Sequence, residues 1–229
     1  MKSTDRKILK IALPSIVSNI TVPLLGLVDT AISGHLGSAV YIGAVAVGSM
    51  IFNVIYWIFG FLRMGTSGMT SQAYGQRNLD SVASLLARSI AVALGIAFTI
   101  ILLQTPICNA ALAFINPDSH TALAARTYFS ICIWGAPAML CLYSLTGWYI
   151  GMQNTRLPMM ISILQNVVNI VASLIFVYGM GMNIEGVALG TLTAQWAAIV
   201  VSLLLWTNTY AKRLFHRIRW NDIIDGAAM

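Results

Sequence analysis

Asp29 is an acidic residue that lies well inside a long apolar segment of the sequence. The other acidic residues fall in loops or tails: Asp5, Asp80, Asp118, Glu185, Asp222 and Asp225. A carboxylate is costly to place in hydrocarbon, so an intramembrane aspartate generally faces the interior of a helix bundle and marks an ion or proton path. The sequence therefore predicts that Asp29 faces a ligand or carries a proton. A purely structural role in helix–helix hydrogen bonds is the alternative.

Small and polar side chains accompany Asp29 at helical spacing. Intervals of three and four residues place one stripe along the first apolar segment: Ser15, Ser18, Val22, Gly26, Asp29 and Ser33. Later apolar segments carry similar stripes: Ser162, Asn166, Asn169 and Ser173, then Thr191 and Gln195. Such stripes are ordinary packing surfaces in membrane bundles. Beside a buried carboxylate, their amides and hydroxyls could also form a proton relay or complete an oxygen shell for Na⁺.

Catalytic and metal-binding motifs are weak in this sequence. Residues 65–68 (GTSG) match the letters of an intramembrane serine protease, but its serine needs a histidine base, and His35, His120 and His216 fall in or near loops. We interpret residues 65–68 as a glycine-rich turn and helix end, and we predict no enzyme activity.

The three cysteines lack CxxC spacing, which predicts neither a disulfide nor a metal cluster. No organic cofactor is expected.

Long apolar segments must position these residues. The chain has 229 residues, of which 58% are hydrophobic and 9% charged, which nearly excludes a water-soluble fold. Six segments approach the ~20 residues that span a bilayer: residues 11–33, 41–62, 82–103, 128–150, 157–178 and 187–206. They must be helices, because lipid offers backbone amides no partner. The predicted fold class is an all-α integral membrane bundle of six transmembrane helices.

Basic residues sort to one side of the predicted bundle. Of the 13 lysines and arginines, one side holds all but Arg126: Lys2, Arg6, Lys7, Lys10, Arg63, Arg77, Arg88, Arg156, Lys212, Arg213, Arg217 and Arg219. Basic residues concentrate in cytoplasmic loops, so we predict a multi-pass protein of the cell (plasma or inner) membrane with both termini cytoplasmic. The connection at residues 105–125 is then placed outside. This sorting favours a topological role for the net charge of +6 over nucleic-acid binding.

The predicted domains are a six-helix lobe, residues 1–206, and a cytoplasmic basic linker, residues 207–229, toward a missing second lobe. The basic and aromatic residues after Trp206 suit a segment that lies on an anionic leaflet. Many transporters consist of two related halves with the substrate site between or within them. A single half therefore predicts a second six-helix lobe as partner, from the same gene or a separate chain.

Prolines interrupt two of the predicted spans. Pro14 and Pro23 lie in the first span and Pro137 in the fourth. Each removes a backbone hydrogen bond and permits the helix to bend. Bending suits alternating access, but static kinks would have the same sequence pattern.

Several segments together resemble the multidrug and toxic compound extrusion (MATE) family. They are residues 27–37 (LVDTAISGHLG), 65–75 (GTSGMTSQAYG) and 166–171 (NVVNIV). The surroundings of His35 and residues 182–190 (MNIEGVALG) are similar to the family's DinF branch. The resemblance covers the whole chain and matches the amino-terminal lobe, roughly half of a twelve-helix transporter.

The resemblance implies an antiporter that exports cationic or amphipathic drugs and toxic compounds in exchange for H⁺ or Na⁺. Asp29 matches the family's coupling carboxylate, Asn169 matches an asparagine of the same cluster, and Pro14 matches a hinge proline. Further predicted members of the coupling site are Tyr128, Asn166, Ser173 and Thr191, with Na⁺, if it is the coupling ion, at Asp29 and Asn169. Many members carry an aspartate where this sequence has Ser173, so a site with two carboxylates is not expected here.

Other functions remain open at the level of sequence. A lipid-linked oligosaccharide flippase of a related superfamily is one alternative, although its cavity should be lined with arginine and lysine for pyrophosphate. A non-transporting membrane fragment is another. The predicted partners are the lipid bilayer, small-molecule substrates and the second lobe, with no nucleic acid.

Topology gives a first testable prediction. If both termini are cytoplasmic, cysteines introduced as Lys2→Cys or Arg217→Cys will not react with an impermeant maleimide added outside intact cells. An Arg126→Cys variant, on the opposite side, should react and serves as the control. Selective labelling of either terminal position from outside would overturn the predicted topology.

Overall fold

The structure is a computed structural model that describes residues 16, 26–36 and 38–211. The described residues of the first predicted span include a helical stretch, α1, over residues 26–34. The α-helices that follow are α2 (Ala39–Ile58), α3 (Phe61–Gly75), α4 (Leu79–Leu102), α5 (Gln104–Ile115), α6 (Ser119–Cys132), α7 (Ala136–Gly151), α8 (Arg156–Leu174) and α9 (Ile184–Trp206). Short π-helical turns extend the last two helices, at Ile175–Gly179 and Thr207–Ala211.

Five helical stretches in the described part of the chain are long and apolar enough to cross a membrane. They are Ala39–Gly75, Leu79–Leu102, Ser119–Gly151, Arg156–Gly179 and Ile184–Tyr210. Each contains or closely overlaps one of the predicted spans from the second to the sixth. The all-α membrane fold predicted from sequence is therefore confirmed. Most of the first predicted span, including Pro14 and Pro23, lies outside the described residues.

The interpretation of residues 65–68 as a turn and helix end was wrong. Gly65 and Gly68 lie inside α3, which continues after a short break at residues 59–60. A glycine within a helix costs only about 1 kcal/mol, so it does not by itself end one. The turn comes instead at residues 76–78, where Arg77 has a φ of 56° and the Asn78 side chain accepts a 3.0 Å bond from the Ser81 amide at the start of α4.

The connection at residues 105–125 is helical rather than an irregular loop. It contains α5 and the first turns of α6, joined by Asn116, with a φ of 50°, and Pro117. The Asp118 carboxylate accepts bonds from the Thr121 hydroxyl at 2.7 Å and the Thr121 amide at 2.8 Å. These bonds begin α6 well before the predicted start at residue 128, and they lower the pKa of Asp118.

Pro137 accounts for a change of helical geometry within the fourth predicted span. Residues Ile133–Gly135 form a 3₁₀ turn, and Pro137 lies at the start of α7. Proline has no amide hydrogen and its ring crowds the carbonyl four residues earlier. The α-helical ladder is therefore interrupted at this position, and α6 and α7 are two segments of one membrane-crossing stretch.

The core of the bundle forms around α7, which packs against α3, α4 and α9. Trp148 and Tyr149 are fully buried. The Trp148 Nε1–H donates to the Val82 carbonyl of α4 at 2.9 Å, and the Tyr149 hydroxyl donates to the Ser202 carbonyl of α9 at 2.7 Å. Both rings thus satisfy their polar atoms inside the apolar core, as buried Trp and Tyr require.

Glycines permit the close approach of α7 to α3. A Cβ atom built on Gly147 would collide with the Arg63 carbonyl, and one on Gly151 would lie 2.6 Å from the Thr70 Cβ and 2.9 Å from the Ser67 carbonyl. Backbone carbonyls of α3 are among the colliding atoms at both positions. They cannot move away as the end of a flexible side chain could. Small residues are the usual means of bringing membrane helices together.

This packing predicts that Gly147→Ala destabilises the bundle. We expect a loss of about 1–3 kcal/mol, since the added methyl group overpacks a rigid contact. Gly95→Ala in α4 is a matched control, because no atom lies within 4 Å of its built Cβ, and alanine should be neutral or slightly stabilising there. Thermal unfolding in detergent micelles measures both. Equal stability of the two variants would contradict the predicted contact.

Candidate functional site

Asp29 is buried where α1, α8 and α9 meet, with 4% of its surface exposed. Its Oδ2 atom accepts a 3.3 Å hydrogen bond from the Thr191 hydroxyl of α9. That hydroxyl in turn accepts a 3.1 Å bond from the Asn169 amide of α8. Asp29, Thr191 and Asn169, which the sequence predicted as site residues, are therefore brought together by three separate helices.

The Thr191 hydroxyl has a choice of acceptors. Besides Asp29, the Val187 carbonyl lies 3.2 Å from it, one helical turn back along α9. A hydroxyl carries a single hydrogen, so it can donate fully to only one of these oxygens. An ionised Asp29 attracts that hydrogen. A protonated Asp29 can instead donate to the Thr191 oxygen while the hydroxyl turns to Val187.

Tyr128 of α6 borders this group and is buried, with 3% of its surface exposed. Its hydroxyl interacts with the side chains of Thr191 and of Ser49 in α2. Its ring lies directly over Gly48, where a Cβ atom would overlap it. Tyr128 is thus held against the Asp29 group by the packing of α2 on α6. Sequence reasoning missed Ser49, since nothing in its spacing separates it from the other polar residues of α2.

Three buried oxygen atoms at this site have no hydrogen-bond partner among the described residues. They are Asp29 Oδ1, Asn169 Oδ1 and Ser173 Oγ. Buried polar atoms are nearly always satisfied, and exceptions require an explanation. Oxygen atoms from a carboxylate, an amide and a hydroxyl are suitable partners for a proton donor or for a hard monovalent cation.

Ser173 lies at the tightest part of the α8–α9 contact. It is fully buried, and a Cβ atom on Gly190 of α9 would collide with its hydroxyl and lie 2.8 Å from its Cα. Gly190 directly precedes Thr191, so the close approach of these helices places Thr191 within bonding distance of Asn169. Gly190 is a positioning residue that sequence reasoning did not single out.

The remaining predicted residues lie around this group or outside it. Asn166 is half-buried one helical turn from Asn169 on α8, and the bonds described above reach Asp29 without it. Gly26, predicted on the Asp29 stripe, is exposed. Gln195 packs against Gly135 of the 3₁₀ turn. Pro14, the predicted hinge, lies outside the described residues.

A bundle of membrane-crossing helices that buries one carboxylate among amides and hydroxyls has the features of an ion-coupled transporter lobe. Comparison with known proteins specifies the class. The MatE family model matches residues 14–175, so the chain belongs to the MatE family. It is a multi-pass membrane protein of a transporter family.

Individual relatives agree with this assignment. The chain is 42% identical to DNA damage-inducible protein F of Escherichia coli over 205 residues, which cover 90% of this chain and 45% of that protein. It is 30% identical to human multidrug and toxin extrusion protein 1, over 94% of this chain and 37% of that protein. The resemblance to the DinF branch is thereby confirmed.

A crystal structure of a MATE protein in the bent conformation has the same fold. The TM-score is 0.82 at 20% sequence identity, and the match covers 91% of this chain and 46% of that one. The chain spans less than half the length of the curated relatives it matches. This coverage is consistent with one lobe of a two-lobe fold.

The site geometry predicts that Thr191→Val destabilises the lobe. The change keeps the side-chain shape but removes the hydroxyl between Asp29 and Asn169 and leaves a buried amide donor without its partner. We expect a loss of about 1–2 kcal/mol. The control is Thr193→Val on the exposed face of the same helix, which should change stability by less than ~0.5 kcal/mol. If thermal unfolding shows equal effects, the Thr191 bonds do not stabilise the site.

Proposed function

We propose that this chain is the amino-terminal lobe of a secondary antiporter that exports cationic or amphipathic compounds in exchange for H⁺ or Na⁺. The observation that carries the proposal is the buried Asp29 carboxylate, bonded to Thr191 and through it to Asn169. Its membership of the MatE family supports transport as the activity. The names of its relatives, which include multidrug and toxin extrusion protein 1, support the substrate class.

Exchange follows from the single charge at the site. A carboxylate in a medium of low dielectric constant is strongly stabilised by one cation and gains little from a second once its charge is neutralised. A proton, Na⁺ or a cationic substrate therefore competes for Asp29 when the lobe opens to either side. The Thr191 hydroxyl accommodates both states of the carboxylate by changing its acceptor, without moving a helix backbone.

The coupling ion is proposed to be monovalent. In the described part of the chain no three His, Cys, Asp or Glu residues group together as they would to bind a metal ion. Asp29 Oδ1, Asn169 Oδ1 and Ser173 Oγ offer one negative charge and two neutral oxygens. This donor set suits H⁺ on the carboxylate or Na⁺ shared among the oxygens. Ser173 stands where many members of the family carry an aspartate. Asp29 is therefore the one charged group among these three oxygen donors.

The wider architecture belongs to the same proposal. Residues 1–206 form the six-helix lobe and residues 207–229 lead toward a second lobe, which supplies the other wall of the substrate cavity. Pro14 is proposed as the hinge of the first helix. Both termini are placed on the cytoplasmic side of the plasma or inner membrane by the distribution of basic residues. Tyr128 and Asn166 complete the surroundings of the coupling site.

The flippase alternative is less well supported by the residues that the structure describes. A cavity for a lipid-linked pyrophosphate needs inward-facing arginine or lysine side chains. Among the described residues, the buried polar and charged side chains include neither. Asp29 is instead the buried charge, and its sign suits a cation.

The proposal predicts that Asp29→Asn abolishes coupled efflux in a two-lobe transporter that contains this chain. Asparagine keeps the shape and can still bond to Thr191, but it cannot bind or release a proton. Glu185→Gln removes a carboxylate from the exposed first turn of α9 and should leave transport unchanged. Drug resistance of cells and pH-driven or Na⁺-driven uptake in inverted vesicles, at matched expression, measure the effect.

Two outcomes are informative. Lost transport with normal membrane insertion and thermal stability supports a coupling role for Asp29. Near-normal transport in Asp29→Asn would remove Asp29 from the mechanism and leave it as a packing residue, with a stability cost of ~1 kcal/mol.

A further inference from the structure

A groove with a volume of about 420 Å³ lies along one face of α2. Its described lining residues recur at the intervals of three and four that mark one side of a helix: Ala46, Ser49, Met50, Asn53, Val54 and Trp57. Most of them are apolar and exposed. Ser49 and Asn53 are the polar ones and lie one helical turn apart, with Asn53 exposed and Ser49 half-buried.

Ser49 connects this groove to the buried carboxylate. Its hydroxyl hydrogen-bonds to the hydroxyl of Tyr128, which also hydrogen-bonds to that of Thr191. Thr191 lies 3.3 Å from the Oδ2 atom of Asp29. Side chains from α2, α6 and α9 therefore form an unbroken series of hydroxyl groups that begins at the groove and ends at Asp29.

Gly48 brings the two ends of this series together. A Cβ atom at Gly48 would overlap the Tyr128 ring, so the ring reaches α2 only because glycine stands there. Gly48 directly precedes Ser49, just as Gly190 directly precedes Thr191 on α9. A close helix contact thus places each of these two hydroxyls within bonding distance of its neighbours.

A second branch leaves Tyr128 but ends inside the bundle. The Cys132 thiol also hydrogen-bonds to the Tyr128 hydroxyl, and Tyr128 and Cys132 are the titratable groups of α6 that act on Asp29. The thiol donates to the Ala188 carbonyl at 3.6 Å. A carbonyl accepts a hydrogen bond but has no hydrogen to pass on, and Cys132 is 1% exposed. Ser49 is therefore the member that reaches the surface of the lobe.

We propose that Ser49 is the outlet of a proton route that joins Asp29 to the α2 groove, an inference that rests on the proposed function. The groove is the aqueous end of the route and faces the cavity between the two lobes. Water there is bonded by Ser49 and by the Asn53 amide one turn away. Ser49 acts through Tyr128 and Thr191 and is a positioning residue for the proton.

The transfer balances in hydrogen atoms and charge. The O–H bond of protonated Asp29 breaks as a new O–H bond forms at Thr191, whose own hydrogen passes to Tyr128. The Tyr128 hydrogen passes to Ser49, and the Ser49 hydrogen passes to a water molecule in the groove. Each hydroxyl gains one hydrogen and loses one, so the products are an ionised Asp29 and a hydronium ion. The hydrogen now on Thr191 points at Asp29 Oδ2, the pair that lies 3.3 Å apart.

Rapid-mixing infrared spectroscopy tests the route in a two-lobe transporter that contains this chain, in the absence of Na⁺. After a jump to alkaline pH, the protonated-carboxyl C=O band that Asp29→Asn removes reports the loss of the Asp29 proton. Ser49→Ala and Tyr128→Phe should each slow this loss by about tenfold or more without changing its final extent, since a hydroxyl that passes the proton is missing. Ser49→Thr keeps the hydroxyl and should restore the rate. Ser130→Ala removes an exposed hydroxyl that bonds within α6 and should have no effect.

The outcomes separate the route from the proposed function. If the Asp29 band of the wild-type protein does not respond to pH, the proton-binding role of Asp29 and the route are both overturned. A normal response with an unchanged rate in Ser49→Ala overturns the route alone. If Ser49→Ala changes the final extent, or Ser49→Thr does not restore the rate, Ser49 acts through packing and the route is also overturned.

Thiol labelling tests whether water reaches the groove. A charged methanethiosulfonate reagent should label Asn53→Cys in right-side-out or inverted vesicles, above the background of the parent protein, whose Cys108, Cys132 and Cys141 are buried in this lobe. Phe98→Cys, on the exposed apolar face of α4, is the matched control and should react only with the membrane-permeant N-ethylmaleimide. If Asn53→Cys behaves like Phe98→Cys, the groove faces lipid and cannot be the outlet.

Discussion

The burial of one carboxylate in a membrane bundle is the constraint on which the site depends. In this apolar environment Asp29 accepts a hydrogen bond from the Thr191 hydroxyl, which in turn accepts one from the Asn169 amide. Those partners come from α8 and α9, more than a hundred residues away in sequence. The contacts among α1, α8 and α9 at this site therefore centre on a single carboxylate whose partners come from different helices.

Small residues make this arrangement possible. Gly190 and Ser173 let α8 and α9 approach closely enough for Thr191 to meet Asn169, and Gly147 and Gly151 do the same for α7 and α3. The buried aromatic residues of α7 then link α4 to α9 through Trp148 and Tyr149. The polar site thus lies against a rigid framework, so that the two acceptors of the Thr191 hydroxyl are both held within reach.

The sequence predicted the fold class and most of the residues that meet at Asp29, because a charge or an amide in an apolar segment is conspicuous. It did not predict the helical connections. Gly65 and Gly68 resembled a turn, but the local cost of glycine was outweighed by the packing of α3 on α7. Gly190 and Ser49 were missed because their roles depend on helices that meet only in the folded chain. The start of α6 is different, because the Asp118 carboxylate bonds to Thr121 only three residues later. This is a local pattern from which the start of the helix could have been predicted.

Proton release on substrate binding is the decisive measurement for the role of Asp29. A two-lobe transporter containing this chain, in weakly buffered detergent solution, is mixed with a saturating fluorescent cationic drug, and a pH-sensitive dye reports protons while drug fluorescence reports binding. We expect proton release from the wild-type protein, or release suppressed by Na⁺ if Na⁺ is the coupling ion, and neither effect in Asp29→Asn. Equal proton release by the two proteins at equal drug occupancy would contradict the role of Asp29.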